Sequence, residues 1–254
     1  MVRRFFLTLF VFIFLFCLYY VFQISYNRKI KIEVSNNYLV KSEVVIRSVS
    51  SLTSGKNFFF IYPSKLSENL VSSYGLIKNV VIRKYLIPEL KISIFVKEKN
   101  LWGRLITLAN GTVYITDEGD LVKSDYINLN LLPSDLTLIL INNNVNVTKN
   151  TLLILKDVHD FFENLLKIKI NRFIVTDRNI LEIYTDNSIK INAGYIDKSV
   201  LEKIVKLSDI FNQINKQSDL IQYIDLSLEN GAVIKKLDEN GFKEKHSKLF
   251  MILH

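Results

Sequence analysis

His159 and Glu163 stand one helical turn apart, with Asp157 and Asp160 beside them, and this short acidic stretch is the best candidate for chemistry in the chain. On a helix the spacing places an imidazole and a carboxylate on one face, and such a pair holds a divalent metal when a third ligand arrives from elsewhere. The reaction class it would serve is hydrolysis of envelope glycan or peptide by a membrane-tethered enzyme, with a site around Asp157–Glu163. Acids at this spacing more often form a solvated helix face, and that is the reading taken here. His246 and His254 have no partner at ligand spacing. The sequence holds no Gly-x-Ser-x-Gly turn and no phosphate-cradling glycine loop. Its single cysteine, Cys17, lies in an apolar run, which excludes an intramolecular disulfide and any cysteine zinc site. Trp102 has the ring to stack on a sugar or base, but a lone aromatic is more commonly packing. No catalytic residue, no cofactor and no metal is therefore expected.

A chain of 254 residues, 49% hydrophobic and 12% aromatic, can bury a sizeable core and has room for one large or two small domains. With 8 Gly and 3 Pro it is neither collagen-like nor linker-rich. The net charge of +8 is spread thinly over Arg28-Lys29-Lys31, Arg83-Lys84, Lys97-Lys99, Lys167-Lys169-Arg172 and the stretch from Lys235 to Lys248. Dispersed charge of this kind reads as a solvated surface, so neither nucleic acid nor a small-molecule substrate is expected as a partner.

From Phe5 to Phe22 the only plainly polar residue is Thr8. As a helix this run would cover roughly 27 Å, the thickness of a bilayer core. Tyr19 and Tyr20 suit one interface, and Arg3-Arg4 suit the headgroups at the other. The run is longer than a signal-peptide core, and no small-x-small cleavage site follows it. Residues 5–24 are thus expected to be an uncleaved single-pass helix in the lipid bilayer. Basic residues flank both ends, so charge alone does not orient it; a short cytoplasmic tail, residues 1–4, with the bulk of the chain outside follows the precedent of short basic tails.

Beyond that helix the periodicity changes. Ile30–Val34 alternates as a strand and Asn36-Asn37 breaks it. Ser42 is placed to cap a helix carrying Val44, Val45, Val49 and Leu52, with Gly55 just past its end. Pro63 opens a second helix through Leu66, Leu70 and Tyr74, closed by Gly75. Leu76–Glu98 then reads as a hairpin. In its second arm Leu90, Ile92, Ile94 and Val96 alternate with Lys91, Ser93, Phe95 and Lys97, so one apolar row must be covered, and Pro88 falls in the connection. From residue 99 onward the pattern gives a strand-turn-strand about Asp117–Asp120, a strand at Leu136–Ile141, and a helix capped by Thr151. Strands follow at 172–176, 181–185 and 189–193. A second helix, capped by Asp197 or Ser199, leads to strands near 222–228 and 232–237. Helices on one side of a mostly antiparallel sheet make the class α+β.

The order strand-helix-helix-strand-strand after an apolar helix carries a resemblance. So do Gly55-Lys56-Asn57-Phe58-Phe59, the hairpin residues Arg83, Pro88 and Glu98, the stretch Asn110–Gly119, and the run Tyr223–Val233. Together they resemble the bacterial cell-division family FtsQ/DivIB, a membrane-anchored POTRA domain followed by a β domain. The resemblance covers nearly the whole chain and rests on order and spacing more than on any single motif. The chain departs from the usual pattern where Lys99-Asn100-Leu101-Trp102 replaces an expected proline, and where Lys235-Lys236 stand where some relatives carry an aromatic.

The resemblance implies a tail at 1–4, a transmembrane helix at 5–24, a POTRA domain at 25–98 and a β domain at 99–254. It further implies a non-enzymatic scaffold in the inner membrane at the division septum, with its bulk outside the cytoplasm. Its partners would be other division membrane proteins of FtsB/FtsL type, and others through the POTRA domain. By the same resemblance Leu226, Leu228, Asn230, Gly231, Ala232, Val233, Ile234 and Lys235 would form a closing hairpin whose terminal strand offers an unpaired edge to a partner strand. An outer-membrane assembly role would require a barrel of alternating segments, which the sequence lacks.

Overall fold

Among the described residues of the computed structural model two sheets and five α-helices arise from these patterns. It describes residues 2–27, 29–87, 89–107, 111–142, 145, 147–197, 199–214, 221–228, 231–236 and 249–252. Pro88, Asn230, His246 and His254 lie outside the described residues. The chain forms two units, one of Met1–Lys99 with Asp125–Leu132, the other of Asn100–Ser124 with Pro133–His254.

Helix α1 runs from Val2 to Asn27. The described apolar side chains along it, from Phe6 to Tyr20, are all exposed. Among the described residues no helix is long and apolar enough to cross a membrane, so the span expected over residues 5–24 is not shown.

The rest of the first unit is built on a three-stranded sheet of order β1-β3-β2. Strand β1 (Lys31–Ser35) runs parallel to β3 (Lys91–Glu98), and β2 (Ile77–Tyr85) pairs antiparallel on the other side of β3. A parallel pair needs a crossover. It is supplied by α2 (Ser42–Thr53), α3 (Pro63–Ser73) and β2, the strand-helix-helix-strand-strand order expected. The covered row of β3 is Ile92, Ile94 and Val96, buried together with Val45 and Val49 of α2 and Leu66 and Leu70 of α3. Asn36 and Gly55, at φ 60° and 70°, make the left-handed turns that end β1 and follow α2. Ser42 does not cap α2: the preceding Lys41 is extended without a side-chain cap, and the Ser42 hydroxyl instead accepts from Asn37 Nδ2 at 2.7 Å.

The second unit holds a ten-stranded sheet, ordered β13-β12-β11-β10-β9-β8-β7-β4-β5-β6. Its strands are β4 (Leu101–Thr107), β5 (Gly111–Thr116), β6 (Leu121–Lys123), β7 (Thr137–Ile141), β8 (Ile170–Val175), β9 (Ile180–Thr185), β10 (Lys190–Tyr195), β11 (Ile221–Asp225), β12 (Gly231–Lys236) and β13 (Leu249–Ile252). Most neighbours are antiparallel. The parallel pairs β7/β8 and β10/β11 are each joined through a helix, α4 (Lys149–Phe161) and α5 (Ser199–Ile214). Strand β4 is also parallel to β7. Leu152, Leu155 and Val158 of α4 and Val200, Ile204 and Leu207 of α5 share one core with Phe173, Ile183, Ile191 and Ile224 from the strands. The cap of α4 is Thr148, three residues before the one expected, with its hydroxyl accepting from Thr151 N at 3.1 Å.

Candidate functional site

The acidic helix does not assemble a metal centre. His159 is 7% exposed and its ring packs against Trp102, centroid to centroid 5.5 Å. Its Nδ1 lies 3.3 Å from Asp160 and its Nε2 3.3 Å from Glu163, but Asp160 is already paired with Lys156, and Asp157 points to solvent. Among the described residues no three metal-ligating groups converge. Trp102 is buried too, its Nε1 donating to the Thr116 carbonyl at 3.0 Å, so its ring faces are not offered to a ligand.

The hairpin residues of the first unit do not form one site. Glu98 pairs with Ile77 at one end of the β2/β3 ladder, whereas Arg83 sits opposite Ser93 and lays its guanidinium 5.4 Å from the Phe95 ring centre. Glu98 is the residue with a definite task. Its carboxylate accepts from the backbone N–H groups of Tyr38 at 3.0 Å, Leu39 at 2.8 Å and Val40 at 2.7 Å, three consecutive donors in the turn that leads into α2. An ionised acceptor facing three otherwise unsatisfied amides locks that turn to the end of β3.

At the far end of the large sheet, β11 and β12 form the expected closing ladder, with Ile224 opposite Ile234 and Asp225 opposite Val233. Ala232 and Ile234 turn into the core, and Val233 and Lys235 lie half-buried on the opposite face. Leu226 is buried and Leu228 is 47% exposed. The strand expected to be last is followed by another. Along β12 lies β13, antiparallel, with Gly231 opposite Ile252 and Ile234 opposite Leu249. The edge of Ala232–Lys236 is therefore not bare. A strand of four residues occupies part of it.

The sheet face away from α4 and α5 carries a row that no linear motif displays. Successive ladder partners from β4 across to β12 are Arg104, Leu138, Arg172, Tyr184, Lys190, Tyr223 and Lys235. A cation stands on every second strand. The Tyr184 ring has the Arg172 guanidinium 4.4 Å from its centre and the Lys190 ammonium 5.5 Å away. Lys190 also pairs with Glu182 at 2.8 Å. Burial disfavours its charge, but the bonds to Glu182 and Tyr184 outweigh that and hold its pKa above the ordinary lysine value. Burial, with Asp225 adjacent, raises the Tyr223 phenol, whose hydroxyl donates to Asp225 Oδ2 at 3.0 Å. In the neighbouring row Ile106, Leu140 and Ile174 line an apolar depression of about 450 Å³.

Comparison with known families gives two matches: residues 28–99 match the model of a POTRA domain of FtsQ type, and residues 105–227 match that of the C-terminal part of the cell division protein FtsQ/DivIB. No curated protein matches the chain.

Proposed function

We propose that this chain, which belongs to the FtsQ/DivIB family of cell-division proteins, is a non-enzymatic scaffold that recruits other division subunits by adding one of their strands to the β12 end of its large sheet. The observation that carries this reading is the pairing of β12. Its outer side is a functional ladder edge, since β13 already bonds along it, and β13 covers only Gly231–Ile234 of a strand that continues to Lys236. A partner strand of greater length would make more main-chain bonds there than four residues can. The partners are membrane proteins of FtsB/FtsL type, as the family resemblance implies. On this reading α1 is a single-pass anchor in the inner membrane, supported by the run from Phe5 to Phe22 in which Thr8 alone is plainly polar, with residues 1–4 cytoplasmic and the two units outside, at the septum. The POTRA unit serves placement there.

Val233→Pro removes an N–H from β12 and should abolish capture of the FtsB/FtsL pair by the full chain, the fold being checked by the near-UV spectrum. Unchanged capture would defeat the proposal. A reporter fused after His254 that is active only in the cytoplasm would reject the orientation.

A further inference from the structure

We infer that the end of the POTRA unit nearest α1 is a bilayer-docking surface, an apolar and aromatic crown flanked by lysines that rests in the headgroup region of an anionic membrane. The inference rests on the reading of α1 as an anchor and adds to it a second, separate point of contact with lipid.

Sheet register brings the crown together. Lys31, Lys91 and Tyr85 stand abreast on β1, β3 and β2, so the end of the sheet at which the chain arrives from α1 is also the end at which the β2–β3 connection turns. Leu86 and Ile87 of that connection are exposed, Ile87 to 86%. The segment between α2 and α3 reaches the same end. Asn57 caps a short turn at Phe58–Phe60 by accepting from Phe59 N at 3.0 Å, and the turn buries Phe58 while leaving Phe59 and Phe60 outward. Lys84 ties this turn to the hairpin: its Nζ donates to the Ile61 carbonyl at 3.0 Å and lies 4.8 Å from the centre of the Phe58 ring. Phe59, Phe60, Tyr62, Leu86 and Ile87 thus gather exposed apolar surface at one end of the unit, and a patch of that kind marks a docking site.

Connectivity and charge identify the occupant. Three residues separate Asn27 of α1 from Lys31 of β1, a link that reaches about 14 Å at most. Leu18, Tyr19 and Gln23 of α1 line one hollow with Gly55, Lys56 and Phe60, which sets Phe60 level with the tyrosines that suit the interface. The acids of this end, Glu33 and Glu89, are held by Lys31 and Lys91. Lys29, Lys56 and Lys65 are exposed and, among the described residues, pair with no carboxylate. Aromatic rings beside lysines whose stems reach past them to phosphate make up the composition of a lipid–water boundary. The contact need not be strong. Tethering by α1 keeps the crown at the bilayer at high effective concentration, and without α1 the crown does not hold the chain there.

The test uses the full chain, reconstituted alone in vesicles of phosphatidylcholine and phosphatidylglycerol, with one nitroxide per molecule. Cys17, the single cysteine, takes the first label. On a Cys17→Ser background, Phe60→Cys, Ile87→Cys and, at the opposite end of the sheet beside Glu98, Tyr38→Cys take the others. Relaxation by oxygen, which collects in lipid, is compared with relaxation by a water-soluble nickel chelate. The labels at positions 60 and 87 should favour oxygen and the label at 38 nickel. Joint Lys56→Glu and Lys65→Glu substitution should shift the label at 87 toward nickel. Labels at 60 and 87 that match the label at 38, or indifference to the charge reversal, would overturn the inference. So would an oxygen preference that appears only on adding the FtsB/FtsL pair, or that is lost as the chain is diluted in lipid, since a protein would then be the occupant. A deep label at Cys17 beside aqueous labels at 60 and 87 sinks this inference alone, whereas an aqueous label at Cys17 sinks the anchor and the inference with it.

Discussion

Glu98 shows how a residue marked by resemblance can serve the fold. Its three amide donors come from one turn, and a hydrogen bond to a charged group contributes about 1.5–3 kcal/mol. The three do not add, because one turn relaxes as a piece, so Glu98→Ala is expected to cost the first unit about 3 kcal/mol and Glu98→Gln less. Thermal unfolding, with amide exchange at Tyr38, Leu39 and Val40, measures both; protection unchanged in the Ala variant would show that the turn holds without the carboxylate. Asp197 has a comparable task at the start of α5. Its Oδ1 accepts from Ser199 N at 2.7 Å and from the Ser199 hydroxyl, and these bonds, the hydroxyl first, hold its pKa below the ordinary aspartate value. A carboxylate lowered in the folded state adds stability above its unfolded pKa, roughly 3.9, and that stability fades as pH falls through the folded value. Asp197→Ala should therefore lower stability by about 1 kcal/mol at neutral pH. Acid titration of unfolding should bring mutant and parent together once the pH has fallen below the lowered folded-state pKa of Asp197; a gap that persists there would assign the loss to packing instead.

Among elements, β13 is where local sequence and tertiary pairing part company. Removing residues 249–254 deletes a strand that, among the described residues, pairs with β12 alone. The variant is expected to keep its fold, to exchange the β12 amides faster, and to capture the FtsB/FtsL pair more tightly than the parent; weaker capture would mean that partners add to β13 and not to β12. The strands that could be read beforehand, β2, β3 and β9 among them, bury one face against helices, and burial writes a period of two into the residues: Leu181, Ile183 and Thr185 alternate with Ile180, Glu182 and Tyr184. A strand defined by one ladder on a sheet edge need carry no such record. The cap of α4 was misplaced for a related reason, since Thr148 and Thr151 sit three apart and either hydroxyl suits a first turn; the structure settles it by the donor at Thr151 N. The cation row was invisible for a stronger reason. Arg172, Tyr184, Lys190 and Tyr223 meet through register across four strands, and register is set by the turns and the core, not by distance along the chain.

At the scale of the whole molecule, α1 makes the first demand. If it is the anchor, the full chain sediments with membranes and resists alkaline carbonate, and a chain lacking residues 1–28 does neither; carbonate release of the full chain would restrict α1 to surface attachment. The second demand concerns Asp125–Leu132, which belongs to the first unit although the strands on either side of it, β6 and β7, belong to the second. Within the first unit Ile127 is fully buried and bridges to Val40, Lys41 N donates to the Tyr126 carbonyl at 3.1 Å, and the Tyr126 ring meets Tyr74 edge-on at 5.2 Å. These contacts complete the turn that Glu98 holds from its other side, so the POTRA unit is finished by chain that comes after its last strand. Truncating a buried isoleucine costs about 2–5 kcal/mol, and Ile127→Ala should therefore speed amide exchange at Val40 and Lys41 while leaving exchange in β9 and β10 as it was. Unaltered protection at Val40 and Lys41 would mean that the first unit is complete without the segment; equal loss in β9 and β10 would mean that the substitution acts on the whole chain and not on the unit to which Ile127 belongs.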